Sequence, residues 1–552
     1  MTTRDDRGMP LSAAQREIWF SEQRLKRSNR VYKIGEYVEI HGAVDPVLLE
    51  AALRRVVAEA DTLRVRFVVN GGEPRQVVEA SPEWTMSFVD LGHEEHPEAA
   101  GQAWMAADMD EPMDLLTGPL FRYALLKVRP DRFWWYHAYH HIVIDGLGVS
   151  LIARRLAEHY TALEGGGGCS LEALGSLGEL LNADTEYRDS EQFEDDRAYW
   201  VARYADQPEP TRLVGRTAEM AESCIRSTAT LSPAEAKSLH VAARKGGLSS
   251  GRLLVAATAA YVHRLTGAED VSVGFAVAAR SDRLKRVPGM VSNVLPLRLS
   301  VRPDMRQADF LAQVGNEIDG LLVHQRYRGE DLCRDVGLVG GVAAVWPPVV
   351  NIMPFRYKTG FGGSRVTVHN VSVGLNGDLS IAVYLRSDGS GLRIDWQANP
   401  DVCGRDELAD HKSRYLRLLE AMVADPMRPI GRQVFLSGAE RSRLVGTYND
   451  TVVVAPVGCL PAAFEDQVRA TPDDVALVSG ADRMTYAQLN SLANRLARVL
   501  IGRGVGPEQI VALVLPRSVD LVVSILAVGK AGGASLAVDS NYPLERIRVM
   551  RA

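Results

Sequence analysis

His140-His141-Ile142-Val143-Ile144-Asp145-Gly146 is the stretch whose reading decides the fold. The residues before it, Phe133-Trp-Trp-Tyr-His-Ala-Tyr139, are aromatic and read as a strand. Strand side chains alternate between faces, so His140 and His141 are expected to point opposite ways, one toward a substrate and one into packing. After the motif, Leu151, Ile152, Leu156 and Tyr160 recur at helical spacing within Gly148–Leu163. The motif is therefore expected at the end of a strand where a helix begins. A near-neutral imidazole placed there can take a proton from an amine or alcohol attacking a thioester.

A lone histidine on an apolar strand is usually a satisfied core or surface residue, but the whole seven-residue pattern says more. It resembles the HHxxxDG signature of the chloramphenicol-acetyltransferase-like superfamily, which includes the condensation domains of nonribosomal peptide synthetases. By itself the signature leaves condensation, epimerisation and small-molecule acyl transfer open. Further segments resemble condensation-domain motifs in their family order. Leu11-Ser-Ala-Ala-Gln-Arg-Glu-Ile-Trp19 resembles the first and Asp61-Thr-Leu-Arg-Val-Arg-Phe67 the second. Tyr187-Arg-Asp189 with Tyr199-Trp200 is similar to a loosened fourth. Met290-Val-Ser-Asn-Val-Leu-Pro296 resembles the fifth, with Asn293 on its asparagine. His324-Gln-Arg-Tyr-Arg-Gly-Glu-Asp331 resembles the sixth, departing from its usual acidic and proline positions.

With 552 residues the chain is too long for one core, so three or four compact units are expected. A formal net charge of -6 and the lack of a long basic block give no sign of a nucleic-acid binder. The polar start, Met1-Thr-Thr-Arg-Asp-Asp-Arg7, lacks the apolar core of a signal peptide, and no run of about 18 apolar residues suggests a membrane span. Cys169, Cys224, Cys333, Cys403 and Cys459 are scattered without a CxxC pair or metal-ligand spacing, so no metal is expected and a reducing cytoplasm is the expected compartment.

Gly165-Gly-Gly-Gly168 reads as a flexible break ending a first lobe over 9–168. A second lobe over 169–436 is expected to hold helical segments around Leu174–Ala205, a helix over Gly251–Leu265 and a buried strand over Val271–Val277. Val291–Val301 and Leu379–Trp396 read as further strands, and a helix over Asp406–Ala424 closes the lobe. The resemblance implies an α/β fold: a pseudo-dimer of two acetyltransferase-like lobes with the site in the cleft between them. A linker is expected over 437–455, where Arg441–Thr451 resembles the join between condensation and adenylation domains. From 456 to 552, strands at Val475–Val478, Ile510–Pro516 and Ala534–Val538 alternate with helices at Tyr486–Gly502 and Val519–Gly529, suggesting a parallel-sheet α/β unit. Met484–Leu489 and Lys530–Asp539 resemble the first two core motifs of adenylate-forming domains, Ser535 and Ala537 departing from the usual Tyr and Pro. This tail is expected to be the N-terminal part of such a domain, without the later ATP-binding motifs and without adenylation activity.

The resemblance implies a reaction. An acyl group held as a thioester on one carrier protein is joined to the amine of an aminoacyl thioester on a second carrier. The phosphopantetheine arms of the two carriers are substrates, and no covalently bound cofactor is expected. His141, as the second motif histidine, is expected to orient the amine, take its proton or steady the tetrahedral intermediate. Gly146 would leave room for the acceptor arm and offer a backbone N–H near the reacting carbonyl. Asp145 is expected to shape the loop through an ion pair, with Arg64 as first choice of partner and Arg280 as runner-up. His140 is expected to be structural, His137 to be a packing residue on the face of His141, and Asn293 to border the tunnel.

The motifs begin close to Met1, so the donor carrier is expected in trans. Ala60–Phe67, His324–Tyr327 and Pro348–Met353 resemble siderophore synthetases that take a dihydroxybenzoyl group, while Arg328–Leu332 and Val291–Asn293 resemble lipopeptide starter domains. A starter domain with an aryl or fatty acyl donor is thus expected. An elongation domain taking a peptidyl donor, a standalone small-molecule acyltransferase, an epimerisation domain and a non-catalytic scaffold are the alternatives. Neither a nucleic acid nor a membrane is expected as a partner.

Overall fold

The computed structural model describes residues 8–24, 29–165, 172–213, 221, 223–338, 347–353, 361–372, 378–385, 391–452 and 458–551. Beyond Gly165, the glycine run and Cys169 lie outside the described residues. The chain divides into two compact units, Met1–Gly438 and Ala439–Ala552.

The first unit holds two large cores, each built on one sheet. In the first, five strands run in the order Arg365–Asn370, Lys33–His41, Arg132–His140, Phe121–Arg129 and Ser87–Asp90. Arg132–His140 lies at its centre, antiparallel to both neighbours, and its aromatic residues are buried. A central strand covered on both faces should read as a continuous apolar run, which is why this stretch lacks polar alternation. Helices Pro46–Glu59 and Gly146–Gly165 pack together beside it. Pro46 sits in the first turn of its helix, and Asp45 caps it by accepting from the Val47 and Leu48 N–H groups at 2.8 and 3.2 Å.

The second sheet has six strands, in the order Asn293–Ser300, Asp270–Val277, Val349–Met353, Leu379–Leu385, Leu392–Ala398 and Ile225–Leu231. The strand segment expected over Leu379–Trp396 is an antiparallel pair, Leu379–Leu385 with Leu392–Ala398. Behind the sheet runs Ser250–Thr266, whose residues from Leu253 to His263 are all buried, as expected of a helix that is apolar all round. Helices Gln307–Val323 and Arg405–Ala424 pack against it.

The division between lobes is not one cut near residue 168. Strand Arg365–Asn370, from the later half of the chain, pairs with Lys33–His41 of the first sheet. His369 stacks on Tyr37 with ring centroids 4.5 Å apart. Leu177, Leu180, Val287, Met290 and Phe361 also join the first core.

The second unit is smaller. Strands Ile510–Val514 and Ala534–Val538 pair in parallel around helix Val519–Lys530, the expected crossover. Val475–Ser479 does not join them as a third parallel strand; it forms a hairpin with Asp482–Thr485, turned at Gly480, whose φ is +60°. Thr485 then starts helix Tyr486–Gly502 through a capping box with Gln488.

Candidate active site

The motif strand ends at His140, the loop 141–145 turns, and the helix begins at Gly146, as expected from the sequence. The two histidines separate as strand geometry requires. His140 is fully buried; its Nδ1 accepts the Ile142 N–H at 3.2 Å, and its Nε2 lies 3.4 Å from a Glu22 carboxylate oxygen. It therefore braces the loop from beneath. His141 lines a cavity between the two lobes of the first unit.

The protonation of His141 follows from its partner. Its Nδ1 lies 2.9 Å from the Ile144 carbonyl oxygen. A carbonyl only accepts, so Nδ1 carries the hydrogen and Nε2 keeps its lone pair. Burial holds the ring below the usual imidazole range, opposed by the Asp145 carboxylate, so the neutral form prevails at neutral pH. The backbone N–H of His141 donates to Tyr32 O at 2.6 Å, fixing the loop to the neighbouring chain segment.

Asp145 does not meet Arg64. Arg280 Nη2 donates to both of its carboxylate oxygens, at 2.8 and 2.9 Å, and both side chains are 2% exposed. Arg64 is engaged locally with Asp61, three residues earlier, at 2.7 Å. A short-range pair on one turn engages Arg64, whereas Arg280 reaches Asp145 only once the lobes meet. Asp145 also accepts from the Gly148 N–H at 2.9 Å, capping the helix start, and from the Val291 and Ser292 N–H groups, each at 3.0 Å. Arg280 in turn donates to the carbonyls of Leu284, Val287 and Gly289 at 2.8, 2.6 and 2.7 Å. Although Arg280 Nε is left without a partner, this buried ion pair fixes the motif loop to the second lobe. Gly148 leaves no room for a side chain there; a Cβ would come within 2.6 Å of Ile144 and 3.2 Å of the Pro288 backbone.

The cavity measures about 370 Å³. Its first-lobe wall includes His141, Gly146, Val149, Tyr139 and His137. Asn293 also lines it, but its amide is spent on the 325–329 turn. The amide donates to the carbonyls of Gln325 and Tyr327 at 3.0 and 2.7 Å and accepts from the Gly329 N–H at 3.1 Å. Asn293 therefore shapes the wall.

A second, partly buried ion pair crosses between lobes: Arg328 Nε donates to Glu17 at 2.8 Å, and Arg328 Nη1 donates to the carbonyls of Val291 and Ser292 at 3.1 and 2.9 Å. Both residues lie in motif segments quoted from the sequence, yet nothing there links them. The far wall, with Asn351, Ser380, Tyr384 and Gln397, comes from strands whose facing could not be read from an apolar run. Among the described residues no group of three or more His, Cys, Asp or Glu is placed to hold a metal ion. No described helix is long and apolar enough to cross a membrane.

Two acetyltransferase-like lobes, a strand-end HHxxxDG loop clamped by arginine and a cleft cavity beneath the second histidine define a condensation-domain architecture. Residues 6–445 match the condensation-domain family model, and residues 464–551 match the AMP-binding enzyme model. The chain thus belongs to the condensation-domain family of nonribosomal peptide synthetases and continues into an N-terminal AMP-binding segment. It is 43% identical over 541 residues to a dimodular nonribosomal peptide synthase of Bacillus subtilis (strain 168), covering 98% of this chain and 23% of that protein. It is 38% identical over 539 residues to an isonitrile lipopeptide synthase of Streptomyces coeruleorubidus, covering 97% of this chain and 36% of that one. The chain thus spans well under half the length of these relatives. Among solved structures, the starter condensation domain of rhizomide synthetase, a double mutant in complex with C8-CoA and Leu-SNAC, is 39% identical with a TM-score of 0.73, covering 78% of this chain and 97% of that one. The first condensation domain of the calcium-dependent antibiotic synthetase, in complex with a substrate analogue, is 35% identical with a TM-score of 0.73, covering 78% and 99%.

Proposed function

We propose that the cleft works as a starter-type condensation site, joining a carrier-bound aryl or fatty acyl donor to a carrier-bound aminoacyl acceptor. The observation that carries this reading is the neutral His141, its Nδ1 hydrogen committed to Ile144 O, in the wall of a cavity closed by both lobes. The amine nitrogen attacks the donor thioester carbonyl; a C–N bond forms and the C–S bond breaks. Nε2 of His141 orients the amine or takes its proton, and the departing thiolate is protonated to the free thiol of the donor arm. Holding two tethered reactants together supplies much of the rate. Gly146, at the helix start, offers space and a backbone N–H toward the developing oxyanion. Asp145 acts through the loop it clamps and does not touch substrate.

The starter reading draws on the rhizomide starter domain, solved with C8-CoA and Leu-SNAC, and on the likeness to a lipopeptide synthase. The donor carrier acts in trans, the acceptor is a peptidyl carrier, their phosphopantetheine arms are substrates, and no cofactor is bound covalently. The free thiols of Cys224, Cys333 and Cys459 suit a reducing cytoplasm. The test offers fatty-acyl-, aryl- and peptidyl-carriers in parallel with one aminoacyl-carrier, read by intact-protein mass spectrometry. Amide product from a fatty or aryl donor, at least tenfold above the peptidyl donor, is expected. Preference for the peptidyl donor would make this an elongation domain, and no amide from any donor would reject condensation.

A further inference from the structure

The peptide group between Val291 and Ser292 is gripped at both ends. Its N–H donates to Asp145 Oδ2 at 3.0 Å, and its carbonyl accepts from Arg328 Nη1 at 3.1 Å. The flanking peptides add one contact to each partner: the Val291 N–H donates to Asp145 Oδ2 at 3.0 Å, and Arg328 Nη1 donates to Ser292 O at 2.9 Å. Arg328 is 8% exposed, and its Nε and Nη2 hold the two carboxylate oxygens of Glu17. At the other end, Asp145 follows Ile144, whose carbonyl takes the Nδ1 hydrogen of His141 at 2.9 Å. The line runs Glu17, Arg328, the 291–292 peptide, Asp145, Ile144 and His141, and it joins four segments far apart in sequence.

Charges alternate along this line. A cation on the carbonyl and an anion on the N–H orient the same peptide dipole, so each contact strengthens the other. Arg280 also holds Asp145, but its remaining contacts are to the carbonyls of Leu284, Val287 and Gly289. Among the described side chains, Arg328 is therefore the one that fixes the 291–292 carbonyls. We infer that Arg328 is a positioning residue for condensation: through the Val291–Ser292 peptide and Asp145 it holds the loop that aims His141. A guanidinium suits this place because its planar fork serves Glu17 and two carbonyls at once, which an ammonium does not. The inference rests on reading the cleft as the condensation site.

The test combines turnover with a signature of His141 itself. Amide formation is measured with loaded donor and acceptor carriers. The tautomer of His141 is read by long-range ¹H–¹⁵N NMR of histidine-labelled protein, its signal assigned by loss in His141→Ala. The wild type should carry the hydrogen on Nδ1. Arg328→Met should lower kcat roughly 10²-fold, the loss typical of a small misplacement, and leave KM for both carriers within about threefold. Its His141 should populate both tautomers. An unchanged kcat in folded Arg328→Met overturns the inference. A wild-type tautomer in that variant overturns it too; with a raised KM it would make Arg328 a substrate-binding residue of the cavity wall. If Arg328→Met does not fold, Glu17→Ala, which leaves the guanidinium without its carboxylate, decides by the same readings. No amide from any carrier pair with the wild type would overturn the cleft reading, and the tautomer spectra would still decide whether Arg328 aims His141.

Discussion

Asp145 and Arg280 show at the scale of single residues what a motif does and does not tell. The carboxylate is committed on both oxygens to a guanidinium and to backbone N–H groups from both lobes. Removing one partner of such a buried pair leaves the other uncompensated, and Asp145→Asn is expected to cost about 3–5 kcal/mol of stability. In urea melts, a double-mutant cycle should show coupling of Asp145 with Arg280 and additivity with Arg64. Coupling to Arg64 and not to Arg280 would contradict the geometry. A clamp between Asp145 and an arginine was implied by the family resemblance, and the opposite facing of the two histidines was legible because it depends on local strand spacing. The choice of Arg280 over Arg64 was not, because it depends on how distant segments pack. His137 gives a second prediction. Burial lowers its pKa from the usual 6.5 to about 3, so the folded state holds a neutral ring that the unfolded chain protonates. Stability from this residue is complete above pH 6.5 and is lost as pH falls toward 3, at up to about 1.4 kcal/mol per unit. Thermal melts of His137→Gln should show a shallower acid decline than the wild type; identical slopes would mean that the ring is not buried neutral.

Elements were read best where periodicity and punctuation agree. The motif strand, the helix after it and the apolar helix Ser250–Thr266 all fall where the residues place them. The hairpin Val475–Ser479 with Asp482–Thr485 was missed although Gly480 marks its turn, since the apolar run before it also suits a parallel strand. Strand Arg365–Asn370 left no signal of its destination. It covers the edge of Lys33–His41, with His369 Nε2 2.9 Å from a Glu39 carboxylate oxygen. Without it the first sheet has an open edge, and the first core also loses Leu177, Val287 and Phe361. A fragment ending at residue 168 should therefore give no cooperative thermal transition by circular dichroism. A sharp, reversible melt of that fragment would show that the first lobe folds without the later segments.

At the scale of the condensation unit, two cores meet around one cavity, and two ion pairs, the buried Asp145–Arg280 and the partly buried Glu17–Arg328, cross between them. The motif supplied one wall of that cavity. The other is built by strands Val349–Met353 and Leu379–Leu385, whose apolar sequences conceal which residues face inward. The proposed condensation rests on a neutral His141 whose Nε2 acts on the amine in that cleft. It is tested most directly by His141→Ala, with loaded donor and acceptor carriers and amide formation followed by intact-protein mass spectrometry. An unchanged melting temperature and a rate about 10²–10⁴-fold lower are expected, the usual loss for a positioned acid–base group. Amide formation near the wild-type rate in a folded His141→Ala protein would contradict it.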